Sequence, residues 1–244
     1  MPNNVYLSVI IPAYNEERRL PKILAEIDKY LRRQNYDYEI IVVNDGSKDA
    51  TAEVGGGLSS AIKNLKLIDN KENNGKGYVV RQGMVEAKGE YRLFTDADNS
   101  TSIDQIEKMW LEFEKDFDIV IGSRDIKGAV LDPPQPFLRN VILGKGFKLF
   151  RKFVIGLWRI QDTQCGFKAF SKKAAENIFP KCKINRFAFD PEILVIAKKR
   201  GYKIKEIPVL WKNDPESKVK FKGMVKMAID LIKIRWNLIT RKYN

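Results

Sequence analysis

The sequence predicts an α/β fold with a mainly parallel central sheet flanked by helices. Short apolar runs of strand length alternate with stretches of helical periodicity through the first half of the chain. Several of these runs end in polar turns that contain Asp, Asn or Gly. The 244 residues suit one large α/β domain, or one domain with a C-terminal extension. Ligands of such sheets bind beyond the carboxyl ends of the strands, where these turns are expected to gather.

The first strand is expected at residues 7–12, an apolar run that ends at Pro12. The loop that follows carries Tyr14 and Glu16 and opens a helix that extends to about Gln34. The apolar positions of this helix share one face: Leu20, Ile23, Leu24, Ile27 and Leu31. This strand–helix unit places Tyr14 and Glu16 at the carboxyl edge of the sheet.

The second strand, residues 38–43, runs into Asn44-Asp45-Gly46-Ser47. The triple glycine at 55–57 is expected to interrupt the helix after it. Asp45 is predicted to join Glu16 at the sheet edge and to face a bound ligand there. In the alternative interpretation both carboxylates only begin helices, where the helix dipole favours negative charge.

A third strand is expected at 65–68 and a fourth at 91–95, with a helix between them. Lys76 lies near the start of that helix, a position from which a lysine can meet a phosphate. The sequence Gly75-Lys76-Gly77 has neither the Walker spacing nor a following Ser or Thr. It therefore argues against a nucleoside-triphosphate loop.

The fourth strand ends in two carboxylates one residue apart, Asp96 and Asp98. Both side chains point the same way if the extended geometry continues past Thr95. Two carboxylates on one side repel each other, so a cation is expected between them, and a hard divalent ion such as Mg²⁺ or Mn²⁺ prefers oxygen ligands. The alternative is an ordinary strand-end turn. Convergence with Asp45 and Lys76 at one edge favours a functional site.

Arg124 follows the next expected strand, residues 118–121, which comes after a helix over about 102–115. An arginine at the carboxyl end of a strand, near a metal site, suits an anionic oxygen. Alternatively, Arg124 only pairs with Asp125 or another surface carboxylate, an interaction of little energetic weight. A proline-rich loop, 132–136, comes next.

Two segments of the second half are amphipathic. In residues 137–158 the apolar side is formed by Ile142, Leu149, Phe150, Phe153 and Leu157, and the basic side by Lys145, Lys148 and Lys152. In the helix over 222–241 a narrow polar stripe is formed by Lys222, Lys226, Asp230, Lys233, Asn237 and Arg241. Both segments are candidates for contact with a membrane surface. The alternatives are packing on the protein's own domain and, for the C-terminal helix, a partner's membrane helices.

Between these segments the chain is expected to return to the sheet. A polar turn that begins at Asp162 runs into a strand, and a further helix opens near Asp190, its expected N-cap. Residues 204–209 are predicted to form an edge strand, because Pro208 cannot donate a ladder hydrogen bond.

Composition narrows the function classes. The chain has 44 Lys and Arg against 31 Asp and Glu, a formal charge of +13, which indicates an anionic partner such as nucleic acid, an acidic membrane or a phosphorylated substrate. It has no histidine, which excludes a Ser-His-Asp triad, a Cys-His pair and histidine metal sites. Cys165 and Cys182 have no metal-like spacing and do not suggest a disulfide framework.

The start of the chain shows no basic stretch followed by a long apolar run, and no segment is long and uncharged enough to span a bilayer. We therefore expect a soluble or peripherally attached protein on the cytoplasmic side of a membrane.

Four motifs resemble the family 2 inverting glycosyltransferases of the GT-A fold: SVIIPAYNE at 8–16, VVNDGS at 42–47, FTDAD at 94–98 and GSR at 122–124. Within that family the chain looks most like the dolichyl-phosphate sugar synthases. Three segments are more similar to the glucosyltransferase branch than to the mannosyltransferases: 78–84, 162–168 and 186–190. Ser100, where mannosyltransferase relatives often carry glutamine, also favours the glucose branch.

The resemblance implies a GT-A domain over 1–221 and a basic amphipathic helix over 222–244. The nucleotide-sugar half would cover about 1–124 and the acceptor half about 125–221. It also implies which residues bind the nucleotide sugar: Pro12, Tyr14, Glu16, Asp45, Lys76 and Asp96.

The remaining roles also come from the resemblance. Asp96 and Asp98 would bind Mg²⁺ or Mn²⁺, and Arg124 and Arg139 would receive the phosphate of the acceptor. Asp190, at the position of a general base in relatives that act on hydroxyl acceptors, is expected to orient the acceptor or a nearby arginine. The catalytic set is therefore Asp96, Asp98, Arg124 and Asp190. A helix cap is the alternative role for Asp190.

The implied reaction is metal-dependent transfer of glucose from UDP-glucose to dolichyl or polyprenyl phosphate, which gives a β-linked product. Two enzyme alternatives are a GDP-mannose-dependent dolichyl-phosphate mannosyltransferase and a family 2 transferase with a non-lipid glycan acceptor. Expected partners are the two substrates and the membrane surface, with a membrane protein or a second copy of the chain left open.

Two other function classes fit less well. A nucleic-acid-binding protein would gather basic and aromatic residues on one platform, whereas these lysines are spread along helices, so no nucleic-acid partner is expected. A catalytically inactive scaffold that docks to membrane partners through 222–241 would not need Asp96, Asp98 and Arg124.

Overall fold

The computed structural model describes residues 5–133, 145–213 and 221–244. Its strands are β1 (Leu7–Ala13), β2 (Tyr38–Asp45), β3 (Leu65–Asn70), β4 (Tyr91–Thr95), β5 (Ile119–Ser123), β6 (Val130–Asp132), β7 (Phe167–Ser171), β8 (Ile204–Pro208) and β9 (Leu210–Lys212). Its helices are α1 (Leu20–Leu31), α2 (Thr51–Ala61), α3 (Lys76–Glu86), α4 (Glu107–Phe113), α5 (Lys145–Ile155), α6 (Lys172–Ile178), α7 (Phe189–Lys199) and α8 (Phe221–Ile239). Single 3-10 turns cover Ile103–Ile106, directly before α4, and Phe179–Lys181.

A seven-stranded sheet in the order β3-β2-β1-β4-β7-β5-β8 forms the centre of the fold. Strands β1 to β4 are mutually parallel, as are β5 and β8, whereas β7 runs antiparallel to both β4 and β5. The mainly parallel sheet and the edge position of β8 confirm the sequence predictions. The reversed direction of β7 was not predicted, because an apolar pattern does not encode strand direction. A separate parallel pair, β6 and β9, lies beyond the end of β8.

Both faces of the sheet are buried, as expected for parallel strands between helices. Along β1, Ile10 faces one apolar cluster while Val9 and Ile11 face the other. The predicted apolar face of α1 is buried in the second cluster, whereas α3, α7 and α8 contribute to the first. The helices therefore cover the two faces and leave the carboxyl edge of β1, β2 and β4 to the loops.

The triple glycine does not interrupt its helix, because α2 continues through Gly55 to Ala61. The prediction of a break was wrong for a packing reason. A side chain on Gly55 would put its Cβ 3.1 Å from Cδ1 of Leu67 on β3, so the glycine lets the helix approach the sheet closely.

The C-terminal helix α8 has two apolar faces. Met227, Leu231 and Ile234 are buried against the domain, whereas five other residues are exposed: Val225, Ile229, Ile232, Trp236 and Ile239. The polar stripe was predicted incorrectly at Asn237, which is 4% exposed because its side chain donates to Tyr243 Oη at 3.2 Å. The side chain of Lys222 lies outside what is described.

Helix α5 packs against α8 and also presents apolar side chains to solvent. Leu149, Phe150 and Phe153 are exposed, while Leu157, beyond the end of the helix, is buried. Ile142 lies outside the described residues. Within the described ranges, no helix combines the length and apolar character that crossing a bilayer requires.

Candidate active site

The loops after β1 and β2 are joined at the carboxyl edge of the sheet. The amide of Asn15 donates to Ser47 Oγ at 2.9 Å, and the amide of Glu16 donates to Thr51 Oγ1 at 2.8 Å. Asn15 adopts φ 54°, a left-handed conformation that asparagine tolerates better than most residues. Tyr14 is half-buried on this loop, one residue beyond β1. The two loops therefore form one fixed unit.

Two residues predicted to bind the nucleotide, Pro12 and Glu16, already make contacts within the protein. Pro12 is buried inside β1, where it is paired in register with Val43. The carboxylate of Glu16 accepts a hydrogen bond from Arg19 Nε at 2.6 Å, so its charge is balanced three residues along the chain. A role for Pro12, Tyr14 and Glu16 in nucleotide binding stays a prediction.

Asp45 organises the loop that leads into α3. Its buried carboxylate accepts hydrogen bonds from the amide of Asn74 at 2.7 Å, the amide of Gly75 at 3.0 Å and Asn73 Nδ2 at 2.9 Å. Burial raises the pKa of Asp45, and the two backbone amides oppose that rise. Gly75 has φ 104°, which favours glycine, and the next residue is Lys76. Asp45 therefore fixes the position from which Lys76 projects.

Lys76 and Asp96 form the contact at the centre of the edge, with 2.5 Å between Nζ and Oδ1. Burial would lower the pKa of Lys76, but the carboxylates of Asp96 and Asp190 outweigh burial and raise it. Gly166 lies directly behind Asp96, because a Cβ there would be 2.1 Å from Oδ2. Because Gly166 has no side chain, the Asp96 carboxylate has room to lie where it contacts the Lys76 ammonium.

Asp98 lies on a turn and not on an extension of β4. The strand ends at Thr95, and Asn99 has φ 53°, so the extended geometry does not continue past Thr95 and the alternative of a strand-end turn is the one observed. Asp98 Oδ1 accepts the amide of Ser100 at 2.9 Å. Burial raises the pKa of Asp98, and the neighbouring charge of Asp96 raises it further. The structure thus keeps two carboxylates close together, and a bound cation would reduce the repulsion between them.

Asp190 pairs with a lysine that the sequence analysis did not single out. Lys168, fully buried on β7, donates to Asp190 Oδ1 at 2.5 Å and also to the carbonyl of Cys165. Burial raises the pKa of Asp190, and the charges of Lys168 and Lys76 oppose that rise. The expected N-cap position was wrong, because Ala188 holds it and Asp190 lies in the first turn of α7. The carboxylate is therefore committed to a buried ion pair.

Arg124 is held in place from two sides. Its Nε and Nη2 donate to the buried carboxylate of Asp162 at 2.7 and 3.0 Å, and its guanidinium lies 4.7 Å from the centre of the Trp211 ring. The interpretation as a surface pair with Asp125 is wrong, because Asp125 instead pairs with Lys148 of α5 at 2.6 Å. Within the described residues Nη1 of Arg124 makes no hydrogen bond. The second predicted phosphate contact, Arg139, lies outside the described residues.

Residues 8–179 match the sequence model of the family described as Glycosyl transferase family 2. The chain belongs to glycosyl transferase family 2. It is an enzyme that transfers a sugar, and the family assignment made from the four motifs is confirmed.

Curated relatives of this glycosyltransferase cover nearly its whole length. A dolichyl-phosphate beta-glucosyltransferase of Trichomonas vaginalis is 40% identical to it over 98% of this chain and 78% of the relative. The enzyme of the same name from Dictyostelium discoideum is 39% identical over 97% of this chain and 76% of the relative. Mannosyl-3-phosphoglycerate synthase from Rubrobacter xylanophilus superposes with a TM-score of 0.68 at 16% identity, and covers 98% of this chain and 75% of that one. This likeness shows the fold alone, and the predicted GT-A architecture is confirmed.

Four residues of this candidate site were given no role from the sequence: Asp162, Gly166, Lys168 and Trp211. One signal was available for Lys168, which lies between Phe167 and Ala169 in a segment predicted to be a strand. A buried lysine requires a carboxylate partner, so it predicts an ion pair without naming the partner. Gly166 and Trp211 are recognised only when the fold brings them beside Asp96 and Arg124.

Proposed function

We propose that this glycosyltransferase moves glucose from UDP-glucose to dolichyl or polyprenyl phosphate and forms a β-linked lipid-phosphate sugar. The observation that carries the proposal is the shared name of the relatives, dolichyl-phosphate beta-glucosyltransferase, at about 40% identity over nearly the whole chain. The resemblance to the glucose branch at 162–168 and 186–190 supports the sugar and its nucleotide. The geometry supports a division of the site into an acidic donor edge and a cationic acceptor position.

The donor edge suits a divalent cation. Asp96 and Asp98 offer hard oxygen ligands. Burial raises the pKa of Asp98 and the charge of Asp96 raises it further, so a bound cation would favour the ionised form of both carboxylates. Two carboxylates together with substrate phosphates are a common ligand set for Mg²⁺. When bound, Mg²⁺ or Mn²⁺ would offset the negative charge that develops on the departing nucleotide diphosphate. We assign its binding to Asp96 and Asp98.

Lys76 supports the same charge from the protein. Its ammonium already lies at the Asp96 carboxylate, at the start of α3, where backbone amides also favour an anion. With a pyrophosphate bound beside Asp96, this ammonium would stabilise phosphate oxygens. Asp45, through the loop 73–75, keeps Lys76 in that position.

Arg124 is proposed to bind the phosphate of the lipid acceptor. Asp162 and Trp211 fix the plane of the guanidinium, and Nη1 has no hydrogen-bond partner among the described residues, so it can donate to a phosphate oxygen. A phosphate monoester is ionised near neutral pH and needs little deprotonation to act as the nucleophile. This agrees with Asp190 being engaged by Lys168 and not held as a free base. Arg139 is proposed as a second contact.

The outer faces of α5 and α8 are proposed to rest on the membrane that carries the lipid. Both expose apolar side chains, and α5 adjoins the acceptor position because Lys148 pairs with Asp125 and Arg151 donates to Thr163 at 2.5 Å. A membrane-bound phosphate would thus arrive next to Arg124. We assign the enzyme to the cytoplasmic side as a peripheral protein, since its two buried free cysteines fit a reducing compartment.

The acceptor assignment is tested with three acceptors given in parallel to the purified protein, labelled UDP-glucose and Mg²⁺. These are polyprenyl phosphate, the corresponding polyprenol and a soluble glycan. Label in organic-extractable lipid with polyprenyl phosphate alone is the expected result. Equal transfer to polyprenol would remove the role of the phosphate and of Arg124, and transfer to the glycan alone would overturn the lipid acceptor.

A further inference from the structure

The turn after α8 buries a tyrosine between exposed neighbours. Tyr243 is 1% exposed, while Lys242 and Asn244 lie in solvent. Its hydroxyl donates to Glu192 Oε1 at 2.7 Å and accepts from Asn237 Nδ2 at 3.2 Å. A buried tyrosine hydroxyl needs a hydrogen-bond partner, and a buried carboxylate needs hydrogen-bond donors, so the two groups stabilise each other.

Glu192 is such a carboxylate. It lies on α7 with no exposed surface, and it accepts the amide of Lys183 at 2.9 Å through Oε1 and the amide of Ile184 at 2.9 Å through Oε2. Burial raises the pKa of Glu192, and the hydrogen bond from Tyr243 and the two amides oppose that rise. The carboxylate therefore joins the end of the chain to the segment 183–186.

The segment 183–186 in turn lies against the loop before α3. The amide of Tyr78 donates to the carbonyl of Asn185 at 3.2 Å, and Arg186 Nη1 donates to Asn73 Oδ1 at 2.5 Å. The fit is close, because a Cβ on Gly75 would be 2.4 Å from the Asn185 carbonyl oxygen.

This loop carries the donor-site contacts already described. Asn73 and Gly75 donate to Asp45, and Lys76 follows directly. A continuous set of hydrogen bonds and close contacts therefore leads from Tyr243 through Glu192 and 183–186 to the donor edge.

We infer that Tyr243 is a positioning residue for the donor site. Its hydroxyl keeps Glu192 in place, so that 183–186 holds the loop 73–76 in the conformation that binds the nucleotide. The inference rests on the proposed function in placing the donor at Asp45 and Lys76. It adds that the C-terminal helix, whose outer face is proposed to meet the membrane, also supports nucleotide affinity.

The test is the variant Tyr243→Phe, which keeps the ring and removes only the hydroxyl. Nucleotide binding is measured by calorimetry with UDP and with GDP, in the presence of Mn²⁺. We expect Kd for the preferred nucleotide to rise about five- to tenfold, the net size of one ordinary hydrogen bond, and KM for the donor to rise with kcat nearly unchanged. Tyr202→Phe is the matched control, because that hydroxyl donates to the carbonyl of Lys173 at the surface.

The outcomes separate this inference from the proposed donor. Unchanged Kd in Tyr243→Phe, with or without a lower Tm, would overturn it, because a purely structural role lowers stability alone. A wild-type preference for GDP with a weakened variant would overturn UDP-glucose as donor and support the inference. Wild-type protein that binds neither nucleotide would contradict both.

A second variant tests the path itself. Arg186→Ala removes the contact to Asn73 from the other end, and we expect it to weaken nucleotide binding. If both changes act through 183–186, their effects on Kd combine to less than the product of the single effects. Independent, multiplicative effects would show that Tyr243 does not act through this segment.

Discussion

Arg124 donates three hydrogen bonds to the carboxylate of Asp162, one from its backbone amide at 3.1 Å and two from its guanidinium. The carboxylate is buried, and the guanidinium also covers the Trp211 ring. Such a pair fixes the orientation of the arginine and leaves one of its donors available, because Nη1 makes no hydrogen bond with the described residues. The pair therefore stabilises the fold and, under the proposed function, also orients Arg124 for the phosphate of the acceptor.

Asp162→Asn is expected to lower both the stability of the fold and the affinity for the acceptor phosphate. An asparagine leaves the guanidinium of Arg124 without a balancing charge, so we expect the free energy of unfolding at pH 7 to fall by about 3 kcal/mol. KM for the lipid phosphate should rise about tenfold, since a mobile guanidinium binds phosphate less well. The control is Asp125→Asn, which breaks the more exposed pair with Lys148 and should cost less than about 1 kcal/mol. Equal effects of the two changes would contradict the account.

The same pair gives a pH dependence with a defined sign. Burial would raise the pKa of Asp162, but Arg124 outweighs burial and holds it well below its usual range. A carboxylate with a lowered folded-state pKa stabilises the fold above its unfolded pKa of about 3.9 and loses that contribution as pH falls. The stability gap between wild type and Asp162→Asn should be constant from pH 5 to 8 and narrow by about 1 kcal/mol near pH 3. Urea titrations at several pH values measure it, and a gap that stays constant to pH 3 would exclude the charge as its source.

Gly166→Ala is expected to slow turnover strongly without unfolding the enzyme. The added methyl group would lie 2.1 Å from Asp96 Oδ2, so the carboxylate must move. We expect kcat/KM to fall about a hundredfold, as for other small displacements of a catalytic group. The control Gly57→Ala adds the same methyl group in open space on α2 and should stabilise that helix by about 0.5–1 kcal/mol. Normal turnover by Gly166→Ala would mean that the position of Asp96 is unimportant.

Asp98→Asn is expected to abolish metal-dependent turnover. It removes one of two proposed ligand charges while keeping the size of the side chain, so binding of Mn²⁺ in the presence of nucleotide should weaken strongly. The control is Asp104→Asn, an exposed carboxylate on the 3-10 turn before α4. Calorimetric titration of Mn²⁺ and an activity assay after chelation measure the effect. Full activity of Asp98→Asn with Mg²⁺ would remove the metal assignment.

The proposed membrane contact of α8 is best tested by surface changes on that helix. Deleting the helix would also remove Leu231 and Ile234, which are buried in the core, so a truncation confounds binding with folding. Ile232→Ser combined with Trp236→Ser changes residues that are 57% and 60% exposed. Sedimentation with anionic liposomes should fall severalfold, because both apolar side chains leave the interface.

The matched control for that experiment is Leu111→Ser, which replaces a leucine that is 57% exposed on α4. It should leave liposome binding unchanged. If the α8 double variant sediments as well as wild type and the Leu111 variant, the outer face of α8 is not the membrane contact.

The sequence was sufficient for the parts of the fold that depend on local pattern. β1, β2 and β4 were predicted because each is an apolar run followed by a polar turn. Asp45 is the last residue of β2, and Asp96 directly follows β4. The edge position of β8 followed from Pro208, whose missing amide marks an edge.

Two pairings of the site, Lys168 with Asp190 and Arg124 with Asp162, were beyond sequence reasoning because they depend on β7. That strand lies antiparallel between β4 and β5, which carries Lys168 to Asp190 and brings the turn at Asp162 to Arg124. No periodicity encodes its direction. At Asp98 the sequence left an extended strand end and a turn open, and the turn is observed because Asn99 adopts a left-handed conformation.

The most direct test of the central claim is a transfer assay with two donors in parallel. Purified protein receives polyprenyl phosphate, Mg²⁺ and either labelled UDP-glucose or labelled GDP-mannose, and the label in organic-extractable lipid is counted. Lipid label from UDP-glucose, and little from GDP-mannose, is the predicted result. Lipid label from GDP-mannose alone would contradict the glucosyltransferase assignment, and label from neither donor would contradict the lipid-phosphate acceptor.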